Sequence, residues 1–111
     1  MAIIKSISSR RIIKGEVINA SEISVVSEST YKTNGENCII VRGVAQSVII
    51  LDSSNTDHVV IKSMTNLIIL PDVGLIDEEY DEVVVDKFAC IEFRFVGGNW
   101  YILSSDGLKQ S

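Results

Sequence analysis

Seven short apolar runs, made mostly of isoleucine and valine, recur along this chain at intervals of roughly ten residues, and that spacing admits few folds. They are Cys38-Ile39-Ile40-Val41, Ser47-Val48-Ile49-Ile50-Leu51, His58-Val59-Val60-Ile61-Lys62, Leu67-Ile68-Ile69-Leu70, Glu82-Val83-Val84-Val85, Ala89 to Phe95, and Trp100-Tyr101-Ile102-Leu103. β-Branched side chains have restricted χ1 and pack well on a pleated surface, so these runs read as strands. Turn clusters separate them: Arg42-Gly43, Asp52-Ser53-Ser54-Asn55, and Pro71-Asp72 followed by Gly74. Pro71 is the single proline, so the other turns must be made by Gly, Asn, Asp and Ser. Evenly spaced short strands are the mark of a sandwich, barrel or β-solenoid-like fold. The fold class expected is all-β: a small sandwich- or barrel-like β-domain.

The run from Ala89 to Phe95 alternates, with Cys90, Glu92 and Arg94 on one face and Ala89, Ile91, Phe93 and Phe95 on the other. Gly97-Gly98-Asn99 between Phe95-Val96 and Trp100-Tyr101 is a hairpin signal, since tight hairpin turns need positive φ. Several other runs are apolar at every position, which is the pattern of strands covered on both faces. A chain of 111 residues has little interior with which to do this. Either the strands form two packed layers or neighbouring copies cover the second face, and an oligomer is expected. Ile39, Ile49, Val60, Ile68, Phe93, Phe95 and Trp100 are the residues expected in the core or the oligomer contact.

Residues 1 to 30 differ from the rest of the chain. Ile3-Ile4 and Ile12-Ile13 are isolated apolar pairs among serines and basic residues, too sparse for a core. The segment reads as an extended N-terminal arm or swapped strand that needs a partner, ahead of a β-domain over 31–111. Asn19-Ala20-Ser21-Glu22 matches a helix capping box, but Ile23, Ser24, Val25 and Val26 are poor helix formers. Lys5, Arg10, Arg11 and Lys14 make the arm basic and would dock it on an acidic partner surface. The net charge of −5 argues against a nucleic-acid module. No signal peptide is expected at the start, and no apolar run is long enough for membrane insertion.

Chemistry is sparse. His58 is the only histidine, so any Ser-His-Asp or Cys-His site must use it, and its neighbour Asp57 would point to the opposite face of a strand. Cys38 and Cys90 lie in separate apolar runs and read as small hydrophobes, and one His with two distant Cys gives no zinc spacing. The acidic stretch Asp77, Glu78, Glu79, Asp81, Glu82, Asp86 offers Asp77, Glu79 and Asp81 to a calcium ion but lacks the EF-hand pattern; an exposed loop is the plainer reading. Gly97-Gly98 lacks the Lys-Ser/Thr of a phosphate loop. The chain is therefore expected to be no enzyme, with no catalytic residues, metal or cofactor.

The segment from Tyr31 to Gly107 resembles a small β-domain that recurs in tailed-bacteriophage virion proteins: tail fibres, head fibres and capsid decoration proteins. The matching features are the strand ending of Cys38-Ile39-Ile40-Val41, the strand Val59-Val60-Ile61-Lys62-Ser63, then Asn66-Leu67-Ile68-Ile69, the turn at Ile76-Asp77, and the terminal hairpin Cys90 to Ser104 with its Gly97-Gly98-Asn99-Trp100-Tyr101 core. The family's glycine-rich segment before that turn is shortened here to Pro71-Asp72-Val73-Gly74-Leu75. The resemblance implies a threefold-symmetric β-rich virion component, a homotrimer contacting other capsid or tail proteins, assembled in the host bacterial cytoplasm. A capsid decoration or head-fibre protein is the first expectation. A tail fibre or adaptor that binds a host-surface glycan through outward aromatics is the alternative.

Overall fold

In the computed structural model, residues 23–106 are described; Lys5, Arg10, Arg11, Lys14 and the capping-box residues lie outside them. Nine strands follow one another: β1 (Ile23–Val26), β2 (Thr30–Lys32), β3 (Cys38–Val41), β4 (Ser47–Leu51), β5 (His58–Ser63), β6 (Leu67–Pro71), β7 (Val83–Val85), β8 (Cys90–Val96) and β9 (Asn99–Asp106). The described residues contain no helix. The all-β expectation holds, and the strands form two sheets.

The path between the sheets is a coil. Odd strands β1, β3 and β5 pair in parallel in the first sheet, and even strands β2, β4 and β6 pair in parallel in the second. The chain therefore crosses from sheet to sheet after every strand for three turns. It then closes with antiparallel strands, β7 on β6 and the β8–β9 hairpin on β5. The final orders are β1-β3-β5-β8-β9 and β2-β4-β6-β7. β1 falls inside the first thirty residues, yet Val26 is buried in the core, so the β-domain already includes Ile23–Val26.

One core lies between the sheets. The first contributes Ile39, Val41, Val59, Ile61, Ile91 and Phe93; the second contributes Ile49, Leu51, Leu67, Ile69, Val83 and Val85. Each such side chain taken from water is worth about 1.5–3 kcal/mol. Strand burial alternates, as in Ser47–Leu51, where Ser47, Ile49 and Leu51 are buried and Val48 and Ile50 are half-buried. In that run only the inner-face residues are fully covered, whereas in Cys38–Val41 the outer-face Cys38 is buried as well.

Stacked corners tie successive turns together. Thr33, Asp52 and Asp72 follow β2, β4 and β6. The Asp52 N–H donates to Thr33 Oγ1 at 2.8 Å, and the Ser53 N–H donates to Asp72 Oδ2 at 3.0 Å. At the other corner, buried Ser63 donates from Oγ to the Asp86 carbonyl at 2.7 Å and accepts from the Ala89 N–H at 3.0 Å. These bonds satisfy backbone groups that the crossing between sheets removes from the ladders.

Candidate functional site

Three places among the described residues gather side chains that could act on something: the outer face of each sheet and the acidic loop before β7.

The outer face of the first sheet is mixed. Ile23, Ile40 and Val60 share it with Lys62, Glu92 and the exposed Arg94. His58 Nε2 meets Glu92 Oε2 at 2.5 Å, and Ser104 Oγ donates to Glu92 Oε1 at 3.0 Å. The pairing places Glu92 beside Val60, one step diagonal from His58, so the partner comes from β8 and not from neighbouring Asp57. A hydrolytic triad sets the histidine between the hydroxyl and the acid. Here the carboxylate stands in the middle and holds both neighbours, so Ser104 donates to Glu92 and not to the histidine.

The acidic loop is occupied with structure. Asp77 and Glu78 both take positive φ, 54° and 61°. Asp77 Oδ1 accepts from the Ile102 N–H at 3.0 Å and Glu78 Oε2 accepts from the Tyr101 hydroxyl at 2.7 Å. The Trp100 N–H donates to the Leu75 carbonyl and the Asp77 N–H to the Trp100 carbonyl. The loop thereby closes part of the outer edge of β9, an edge that would otherwise offer unpaired backbone to another chain. Among the described residues no group of three or more His, Cys, Asp and Glu side chains is arranged to hold a metal.

The outer face of the second sheet is of one kind. Val48, Ile68 and Val84 lie in register across β4, β6 and β7, and Ile50 and Leu70 lie in register two residues along. All five are half-buried. On the β2 border, Thr30 and Lys32 continue the two rows. Exposed Glu82 immediately precedes β7 on the opposite border. At one end the face runs into a cavity of about 240 Å³ lined by Gln46, Asn66, Leu67, Ile68, Val84 and Asp86.

No family model, curated protein or solved structure matches this chain. What these surfaces can do therefore rests on their own chemistry.

The residues expected in the core or oligomer contact divide cleanly. Ile39, Ile49, Phe93 and Trp100 are buried in the core, and Phe95 packs against it with its ring centroid 5.2 Å from that of Trp100. Val60 lies on the outer face of the first sheet and Ile68 on that of the second. Sequence reasoning missed Val48, Ile50, Leu70 and Val84 as members of one outer face. The signal was the strict two-residue alternation of strands, which needs only one fixed point to set its phase. Of the adjacent pair Trp100 and Tyr101, Trp100 faces the core as expected, and the Tyr101 and Tyr31 hydroxyls donate to Glu78 and Glu36. Cys38 is buried, Cys90 is half-buried, and neither is in a disulfide among the described residues. Burial pushes the Cys38 thiol up, with a smaller contribution from Cys90.

Proposed function

We propose that this chain is a structural protein of the bacteriophage virion, a homotrimeric capsid decoration or head-fibre protein anchored through its basic N-terminal segment. The observation that carries the assembly part is the aliphatic outer face Val48, Ile50, Ile68, Leu70 and Val84. In a single chain these half-buried side chains make one contiguous aliphatic face, and such patches mark association surfaces. The virion part rests on the resemblance of Tyr31 to Gly107 to phage virion β-domains, above all in the Cys90 to Ser104 hairpin.

Chemistry points the same way. In the His58–Glu92–Ser104 chain the hydroxyl donates to Glu92 and not to the histidine, and the carboxylates of Asp77 and Glu78 are hydrogen-bonded to β9. A binding or cementing role asks for neither nucleophile nor cofactor. Burial of Trp100 removes the largest aromatic face from the glycan-binding alternative, which needs free aromatic faces. Lys5, Arg10, Arg11 and Lys14 are assigned the contact with other virion proteins.

Deletion of residues 1–20 tests the anchoring. The truncated protein should give the β-rich circular dichroism of the full chain and be missing from purified particles. Normal incorporation would refute the anchor. Electron microscopy of labelled full-length protein on virions separates head from tail.

A further inference from the structure

The outer faces of the two sheets differ in a way that selects one of them. The face of the first sheet is mixed: the His58–Glu92 pair, Lys62 and Arg94 break up its aliphatic residues Ile23, Ile40, Val60 and the exposed Val25. The five central positions on the face of the second sheet are all aliphatic. A sugar, a nucleic acid or a charged polymer finds no donor, acceptor or aromatic plane there. What fits is another flat aliphatic surface.

The borders of the face say whose surface that is. Lys32 stands on the β2 border and Glu82 on the β7 border, both exposed, and among the described residues neither makes an ion pair. Identical copies arranged about an axis running along the strands bring the β2 border of one beside the β7 border of the next. A lysine then meets a glutamate at every junction, and no junction sets like charges of this pair together. The face is self-complementary in apolar character at its centre and in charge at its rim.

We propose that the outer face of the β2-β4-β6-β7 sheet, not that of the first sheet, is where copies of this chain meet, with Lys32 of one copy paired to Glu82 of the next. This rests on the assembly reading under the proposed function and names its surface.

The test uses the full chain and measures solution mass by light scattering over a dilution series, with circular dichroism to report folding. Ile68→Glu places a charge at the centre of the face and should give folded single chains at concentrations where the unaltered protein is assembled. Val60→Lys, on the face of the first sheet beside Glu92, should leave the mass unchanged. Lys32→Glu should weaken assembly at least about fivefold, the scale of one exposed ion pair exchanged for a repulsion, and adding Glu82→Lys should restore it. Because Lys32 and Glu82 are exposed, that pair decides the matter even if Ile68→Glu does not fold. Assembly that survives Ile68→Glu and ignores the charge exchange, or is lost with Val60→Lys, overturns the choice of face while leaving the assembly reading intact. An unaltered protein that is a single chain throughout overturns both.

Discussion

Gly74 packs on Gly98 so closely that a Cβ at position 74 would stand 1.9 Å from the Gly98 carbonyl oxygen. Both glycines have positive φ, 70° and 93°. The contact seats the loop that leads into Ile76 and Asp77 against the tip of the β8–β9 hairpin. Asn99 Oδ1 accepts from the Leu75 N–H at 2.8 Å just beside it. Gly74→Ala should therefore cost at least about 2 kcal/mol, from left-handed strain together with displaced backbone. Chemical denaturation measures this. Gly97 has open space where a Cβ would sit, so Gly97→Ala should cost less, for its φ alone.

Trp100 fills the centre of the same corner, fully buried against Phe95. Trp100→Ala should cost about 3–5 kcal/mol, as removal of a large buried ring does. The indole Nε1 has no hydrogen-bond partner among the described residues. Trp100→Phe therefore sacrifices volume and no hydrogen bond, and should cost roughly 1–2 kcal/mol. A Phe variant as damaging as the Ala variant would mean that the indole N–H has a partner after all.

Alkaline pH should act through Tyr31. Its hydroxyl donates to Glu36, and that bond, with burial and the nearby charges of Glu36 and Glu28, pushes the phenol up to about 12 from 10.0. A group whose folded pKa lies above its unfolded value stabilises fully below the unfolded value. It loses that contribution as pH rises toward the folded one. Unfolding midpoints should fall between pH 10 and 12, and Tyr31→Phe should flatten the fall. An unchanged slope in Tyr31→Phe would show that this bond is not the cause.

Acid should act at the Asp52 corner. Its carboxylate accepts from the Ser54 N–H at 3.0 Å and the Asn55 Nδ2 at 3.0 Å. The Ser54 backbone bond first, then Asn55 and the Lys32 charge, hold it below the usual carboxylate range against the opposing effect of burial. Its contribution is complete above the unfolded carboxylate value and lost as pH falls through the lowered folded one. Asp52→Asn should weaken the protein near neutrality and make its acid limb shallower than that of the unaltered chain, as read by thermal melts across pH.

The sequence carried the strands more clearly than their connections. Cys38–Val41 and Ser47–Leu51 stand where their apolar runs place them, because β-branched side chains bounded by turn residues have few other uses. The coil was not legible. Arg42-Gly43 and Asp52 to Asn55 read equally as hairpin turns or as corners that send the chain to the opposite sheet; the choice depends on which neighbours the next run finds. The terminal hairpin was legible because Gly97 and Gly98, with φ of 60° and 93°, meet the double positive-φ demand of a two-residue turn. His58 could not reveal Glu92, a residue 34 positions away, and adjacency drew attention to Asp57 instead. Residues covered on both sides were overcounted for a related reason: an unbroken apolar run hides which alternate positions face out.

The proposed role stands or falls on copies of this chain shielding one another's aliphatic sheet face. Light scattering on the full-length protein in dilute buffer reads this without any substitution or partner, because it returns the mass of the species in solution. With a chain of 12.2 kDa, three copies should give roughly 37 kDa. A folded species that stays at 12.2 kDa across the accessible concentration range would rule the shared face out.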